Sequence, residues 1–407
     1  MNMDADDRLI QLKGIIANEK VVTHFQPIVS VKKKQIVGFE ALNRGVRECG
    51  LIAPDILMVY AKGLGLSLEL DRLFRKKALE SFKSIYAIDG EKFLSINVES
   101  DAIIKGFGSK KFLNSVIQNG ISPSAIVIEI LESDISDMDI IFKFVEEYRN
   151  LGFLIALDDF GAGFSNWSRI VSLRPNIVKL DKSLTEGVCN DFYKREVAAS
   201  VTHLAHKTGA LVIAEGVETL EDALVVMDFG ADMLQGYFFS KPLDDLDLLD
   251  EVSREITELS AKLIKSKSRM ILEAERELKF YFDRAHEIAG ALSEIDETFI
   301  NSILHDKIDK DEVIECAYVL NNDGIQISDT IVNTKIIGKF QSVMFHPDKI
   351  GADQSGKEYF YLISAGTDVA VTEPYLSSAT GNICVTVSVT YHNKSGIKRI
   401  LCVDMKK

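Results

Sequence analysis

Two adjacent carboxylates, Asp158 and Asp159, end the apolar run Ile155-Ala156-Leu157 and are followed at once by Phe160-Gly161-Ala162-Gly163. Apolar surroundings raise a carboxyl pKa by desolvation, so two acids side by side there need a cation to stay ionised, and a divalent metal is the natural candidate. Alone, the pair could equally cap a following helix or turn. The pattern recurs, however: Gln26, Glu40, Asn97, Glu129, Lys179, Glu215 and Gln235 each stand at or near the end of an apolar, β-type run. Any one of them could be a strand-end cap or a surface group. Together, carboxylates and an amide oxygen make an all-oxygen set suited to Mg²⁺ or Mn²⁺. Lys179, a cation in acidic company, has an evident electrostatic role, the bland alternatives being a solvated lysine or an ion pair with Asp181.

Such residues are useful only if the chain brings them together. The β-type runs are Val21 to Ser30, Ile36 to Leu42, Phe93 to Val98, Ile126 to Ile130, Phe153 to Leu157, Ile177 to Leu180, Leu211 to Ala214 and Met233 to Phe238. Helical periodicity separates most of them; Val197, Val201, Leu204 and Ala205, for example, fall on one face. This alternation predicts an α/β fold, a TIM-like (β/α)8 barrel whose strand carboxyl ends meet at one mouth. Only Val31-Lys32-Lys33-Lys34-Gln35 parts the first two runs, too short for a crossover helix. They should form an antiparallel hairpin and make the barrel irregular.

A chain of 407 residues exceeds one ordinary domain. With 46% hydrophobic and 27% charged residues its composition is globular, and a net charge of −14 argues against general nucleic-acid or anionic-membrane binding. A small anionic ligand in a local cationic or metal-lined pocket remains open. Cys49, Cys189, Cys316, Cys384 and Cys402 are scattered, with no Cys-x-x-Cys, as expected of reduced thiols. The acidic N-terminus lacks the apolar core of a signal peptide, and no apolar run approaches the ~20 residues of a membrane span. The expected location is cytoplasmic.

The texture changes after Pro242. From Leu243 to Ala289 there is neither Gly nor Pro, and Leu249, Ile256, Leu259 and Leu263 are spaced nearly as a heptad. A connector helix over 245–284 is expected, packing on its neighbours or on a second subunit; an ordinary amphipathic helix of the second domain is the alternative. Beyond it, 285–407 reads as an α+β domain with helical material over about Ala285 to Leu304 and β-type segments at Glu315 to Leu320, Ile325 to Ser328, Glu358 to Ser364, Asn382 to Thr390 and Lys398 to Val403. The barrel then occupies 1–244. No catalytic constellation shows in the second domain.

Phe39-Glu40-Ala41-Leu42-Asn43-Arg44 resembles the signature of EAL-domain phosphodiesterases, which hydrolyse the messenger cyclic di-GMP to linear pGpG. The likeness continues in order through Phe25-Gln26-Pro27-Ile28, Ile96-Asn97-Val98, Ile128-Glu129-Ile130-Leu131-Glu132, Asp158-Asp159-Phe160-Gly161-Ala162-Gly163, Val178-Lys179-Leu180-Asp181, Ala214-Glu215-Gly216-Val217-Glu218 and Gln235-Gly236-Tyr237-Phe238-Phe239-Ser240-Lys241-Pro242. The resemblance implies that Glu40, Asn97, Glu129 and Asp158 hold one divalent ion and that Asp159 bridges to a second. It implies that Lys179 and Glu215 position or deprotonate the attacking water, that Gln26 and Arg44 contact substrate, that Gln235 supports water and substrate, and that Glu132 anchors the loop after Asp159. Two ions, Mg²⁺ or Mn²⁺, are thus expected, with inhibition by Ca²⁺. Ala162, Phe164 and Asn166-Trp167 stand where the family more often has Thr, Tyr and Ser-Leu, and Ile130-Leu131 replaces Leu-Thr. Every ligand position and the base are kept, which favours an active enzyme over a receptor that binds cyclic di-GMP and signals through the connector helix.

The C-terminal stretches Tyr318 to Ser328 and Glu373 to Gly381 resemble PAS/Cache-like sensor domains, similar in particular to the YkuI-type module that follows some EAL barrels. The likeness implies a homodimer and, at this domain, either a small ligand of unspecified class or a purely structural role.

Overall fold

The computed structural model describes residues 5–47, 50–106, 108–131, 138–162, 167–244, 249–335 and 345–407. The chain divides into two compact units, 1–267 and 268–407.

In the first unit the strands are β1 (Val21–Ser30), β2 (Gln35–Arg47), β3 (Gly50–Ile52), β4 (Phe93–Asn97), β5 (Ile126–Leu131), β6 (Leu154–Phe160), β7 (Ile177–Leu180), β8 (Leu211–Ala214) and β9 (Met233–Leu234). They follow the order β1-β9-β8-β7-β6-β5-β4-β2-β3, and β1 also pairs with β2, closing the ring. β2 and β4 to β9 run parallel, while β1 is antiparallel to both β2 and β9. The short hairpin thus produces the irregular barrel expected of it.

Alternation along the strands builds a layered interior. Ile28, Val127, Ala156, Ile177, Ile213 and Met233 form a buried apolar floor. Gln26, Glu129, Asp158, Lys179, Glu215 and Gln235 each lie two positions from one of those residues. A period of two therefore puts floor and rim on the same inward face. On the outward face, Ile128, Ile130, Ile155, Leu157, Val178, Leu180, Val212 and Ala214 pack in the core shared with the helices. In the helix Phe192–Lys207 the buried face is Ala198, Val201, Thr202 and Ala205. Val197, expected on that face, is 47% exposed, since the face lies one position further round.

The helix expected over 245–284 runs over Leu249–Ser293 among the described residues. Val252, Ile256 and Leu259 belong to the barrel core. In the second unit, Tyr281, Ala285, Ile288 and Leu292 pack with the helix Ile300–Ile308 against an antiparallel sheet. Its strands are β10 (Ile314–Leu320), β11 (Ile331–Val332), β12 (Val369–Val371), β13 (Tyr375–Leu376), β14 (Ile383–His392) and β15 (Lys398–Lys406), ordered β11-β10-β15-β14-β12 with β13 on β14. Glu358–Ser364, expected as a strand from its aromatic and β-branched content, is a helix. Tyr359 and Ile363, four apart, are its buried residues, and that helical spacing overrides residue propensity. Ile325 to Ser328 forms only isolated bridges, Leu320 with Gln326 and Ile325 with Asp353. Cys189, Cys316, Cys384 and Cys402 are free thiols.

Candidate active and metal-binding site

The polar rim converges on one buried ammonium. Lys179 Nζ lies 2.6 Å from Glu129 Oε1, 2.6 Å from Glu215 Oε1, 2.9 Å from Asp158 Oδ1 and 3.6 Å from Glu40 Oε2. Asn97 Nδ2 donates to Glu40 Oε1 at 3.0 Å. Gln235 Nε2 donates to Glu40 Oε2 at 2.6 Å and to Gln26 Oε1 at 3.0 Å. Residues from eight strand ends therefore form one network. Asp158, Asp159 and Glu215 each offer an oxygen within 4.8 Å of the others. Above them opens a cavity of about 340 Å³ bordered by Gln26, Glu40, Asp159, Lys179 and Glu215, among others.

Alternation should send Asp158 and Asp159 to opposite faces of β6. The strand breaks register with β7 between Leu157 and Phe160, and Asp159 adopts φ +55°, in the left-handed region. This bulge turns both carboxylates to the mouth, and Asp is among the few residues that tolerate such a backbone. After β8, Gly216 supplies a second left-handed turn at φ +62°, where a Cβ would come within 2.4 Å of Lys182 Cβ. Thr185 Oγ1 donates to the Glu215 carbonyl and fixes that turn.

Charge is unbalanced at the rim. Burial pushes the Glu129 carboxyl up to about 8, with Lys179 opposing and Glu40 and Asp158 reinforcing the rise. Burial, then the Asp158 and Asp181 charges, push Asp159 up to about 6. Burial likewise holds Glu215 well above the ordinary carboxylate range. For Lys179 burial acts against the charge, but Asp158, Glu129, Glu215 and Glu40 keep it well above the usual lysine range. The carboxylates thus compete for one cation. Glu129 Oε2 and Gln235 Oε1 are buried with no hydrogen-bond partner. An oxygen-rich, negatively charged set with orphaned oxygens fits a hard divalent cation.

Most of the expected site residues meet here. Arg44 lies four residues beyond Glu40 on the same face of β2, donates Nη1–H to the Asn43 carbonyl at 3.1 Å, and does not border the cavity. Glu132 lies outside the described residues. Asp181 is not the ion-pair partner of Lys179 but accepts from the Ser183 N–H at 2.9 Å, capping the helix Lys182–Thr185. Ser95 was missed; its Oγ donates to Glu129 Oε1 at 2.5 Å. Its position two residues before Asn97 on β4 was the available signal.

Residues 10–242 match the EAL domain family, and the chain belongs to it. It is 30% identical over 240 residues to the probable cyclic di-GMP phosphodiesterase PdeB of Escherichia coli, covering 59% of this chain and 46% of that protein. It is 27% identical over 248 residues to the cyclic di-GMP phosphodiesterase NbdA of Pseudomonas aeruginosa, covering 60% of this chain and 31% of NbdA. The chain thus spans less than half the length of these curated relatives. The fold matches the whole of Bacillus subtilis YkuI, solved with cyclic di-GMP and calcium, at TM-score 0.78 and 20% identity over 100% of both chains. Klebsiella pneumoniae BlrP1, solved with manganese and cyclic di-GMP, matches at TM-score 0.51 and 28% identity, covering 55% of this chain and 56% of BlrP1. No helix among the described residues is long and apolar enough to cross a membrane.

Proposed function

We propose that the barrel hydrolyses cyclic di-GMP to linear pGpG in a metal-dependent reaction. The observation that carries this reading is the crowding of Glu129, Glu215, Asp158 and Glu40 within 2.6 to 3.6 Å of Lys179 in an EAL-family barrel. Glu40, Asn97, Glu129 and Asp158 would hold one ion and Asp159 would bridge to another. Glu40, Glu129, Asp158, Asp159 and Glu215 set against Lys179 leave a formal deficit of four charges, which two divalent cations would close and one would not. Mg²⁺ or Mn²⁺ bound there would neutralise charge on the phosphoryl oxygens and lower the pKa of water. Glu215 takes the proton from the attacking water, and Lys179 Nζ orients its carboxylate. Gln235 holds Glu40 and Gln26 in register; Gln26, at the cavity border, would contact the substrate there, and Arg44, further along the same face of β2 and outside that border, would contact it only where it extends beyond the cavity.

Incubation with cyclic di-GMP and Mg²⁺ should yield pGpG by chromatography, Mn²⁺ should substitute, and EDTA should stop the reaction. Ca²⁺ should inhibit, because its larger and looser coordination misplaces water. Undiminished turnover in Ca²⁺ would count against the two-ion arrangement. Binding without product would make the barrel a receptor; neither would remove both readings.

The second unit is read as a PAS/Cache-like regulatory domain, supported by the fold it shares with YkuI. Homodimerisation is supported by Ile271 and Leu278, seven residues apart on one helix and 59% and 38% exposed. Ile271→Glu should convert a sedimenting dimer to a monomer; a wild-type monomer would refute the pairing.

A further inference from the structure

We propose that the short helix Lys182–Thr185 is a clamp that sets the spacing between Glu215 and Asp159, with Thr185 as the positioning residue for the base. The inference rests on the reading of Glu215 as the base and of Asp159 as a cation ligand, and adds the residues that hold each of them. Ser183, Leu184 and Thr185 do not border the cavity above Lys179, so each acts through the turn it holds.

At one end the helix grips the turn after β8. Thr185 is fully buried, and its Oγ1 donates to the carbonyl of Glu215 itself. Its other acceptor, the Asp181 carbonyl, is 3.5 Å away, at the limit of a hydrogen bond. Packing alone would be served by valine, which is equally branched. The hydroxyl adds one bond, and that bond goes to the base. The next residue, Gly216, is left-handed and pressed so closely on Lys182 that a side chain there would strike its Cβ.

At the other end the helix grips the turn after β6. Ser183 Oγ donates to the Gly161 carbonyl at 3.4 Å, and Leu184 lies over Gly161, where a side chain would strike its Cδ1. The Asp181 N–H donates to the Phe160 carbonyl at 3.1 Å. That turn is closed by the Ala162 N–H on the Asp159 carbonyl at 3.1 Å, so whatever fixes it fixes Asp159. Asp159 and Glu215 offer oxygens within 4.8 Å of one another although β7 separates their strands. The helix that follows β7 touches both turns. The Asp181 side chain, accepting the Ser183 N–H at 2.9 Å, caps it into a stiff link.

Two measurements test the clamp: steady-state kinetics on cyclic di-GMP, and Mn²⁺ binding to the full chain without nucleotide, counted by the EPR signal of free Mn²⁺. Thr185→Val should lower kcat about tenfold with KM within about twofold and Mn²⁺ affinity unchanged, since a small displacement of a catalytic group is costly. Thr185→Ser keeps the donor and should recover most of that loss. Thr185→Ala, differing from it only in the hydroxyl, repeats the comparison without relying on the fit of valine. Leu184→Ala should weaken Mn²⁺ binding about tenfold, as loosening the support of a ligating carboxylate does. Wild-type kcat in the valine and alanine variants, equal losses in the serine and alanine variants, or unchanged Mn²⁺ affinity in Leu184→Ala would each overturn the clamp alone. A wild-type protein that lacks turnover or Mn²⁺ binding would remove the underlying reading and the clamp with it.

Discussion

Replacing Lys179 with methionine is expected to lower the stability of the metal-free protein by about 3–5 kcal/mol at about pH 8, as breaking a buried ion pair does. Its ammonium is 1% exposed and faces Glu129, Glu215, Asp158 and Glu40 at once, so its removal leaves like charges buried together. The loss should shrink on acidification. Burial already raises Glu129 from 4.5 to about 8, so its contribution is fully present below 4.5, where it is protonated in both states, and fades as pH rises through about 8. At about pH 5 the variant's carboxyls can take protons instead of repelling one another. Added Mg²⁺ should restore part of the deficit. Urea midpoints at the two pH values read all of this, and an unshifted midpoint at the higher pH would show that the ammonium is not what holds the rim together.

Glu215→Ala should lower kcat by about 10²- to 10⁴-fold, the usual contribution of a positioned base. Affinity for cyclic di-GMP should change little, because a base acts in the transition state more than in the ground state. The side chain is suited to this role: its Oε1 lies 2.6 Å from Lys179 Nζ, and its backbone is held by Thr185 and by the glycine turn at Gly216. Equal losses in binding and turnover would assign Glu215 to substrate or cation binding.

The rim was legible because strand alternation is a rigid rule. An apolar residue at Ile177 and a polar one at Lys179 must share a face, and likewise Val127 with Glu129 and Ile213 with Glu215, once the strands are placed. Where the backbone departs from the rule, sequence reading stops. The left-handed Asp159 and the register break beside it follow from the closing of β6 against β7, a long-range pairing that no local pattern announces. Ser95 was overlooked because a serine inside an apolar strand carries no charge to mark it. In the second unit, Glu358-Tyr359-Phe360-Tyr361 has β-type composition, yet the burial of Tyr359 and Ile363 selects a helix; tertiary packing decided what propensity left ambiguous.

The helix Leu249–Ser293 sets a rule for gene fusion. Val252, Ile256 and Leu259 are as much barrel as any strand residue, although they follow the last family motif in the chain. A graft cut at Asp244 would leave behind three buried side chains, together about 5 to 9 kcal/mol of apolar burial. Recombination that keeps such a barrel intact must cut later, beyond Leu263, within an unbroken run of helix where no turn marks the seam.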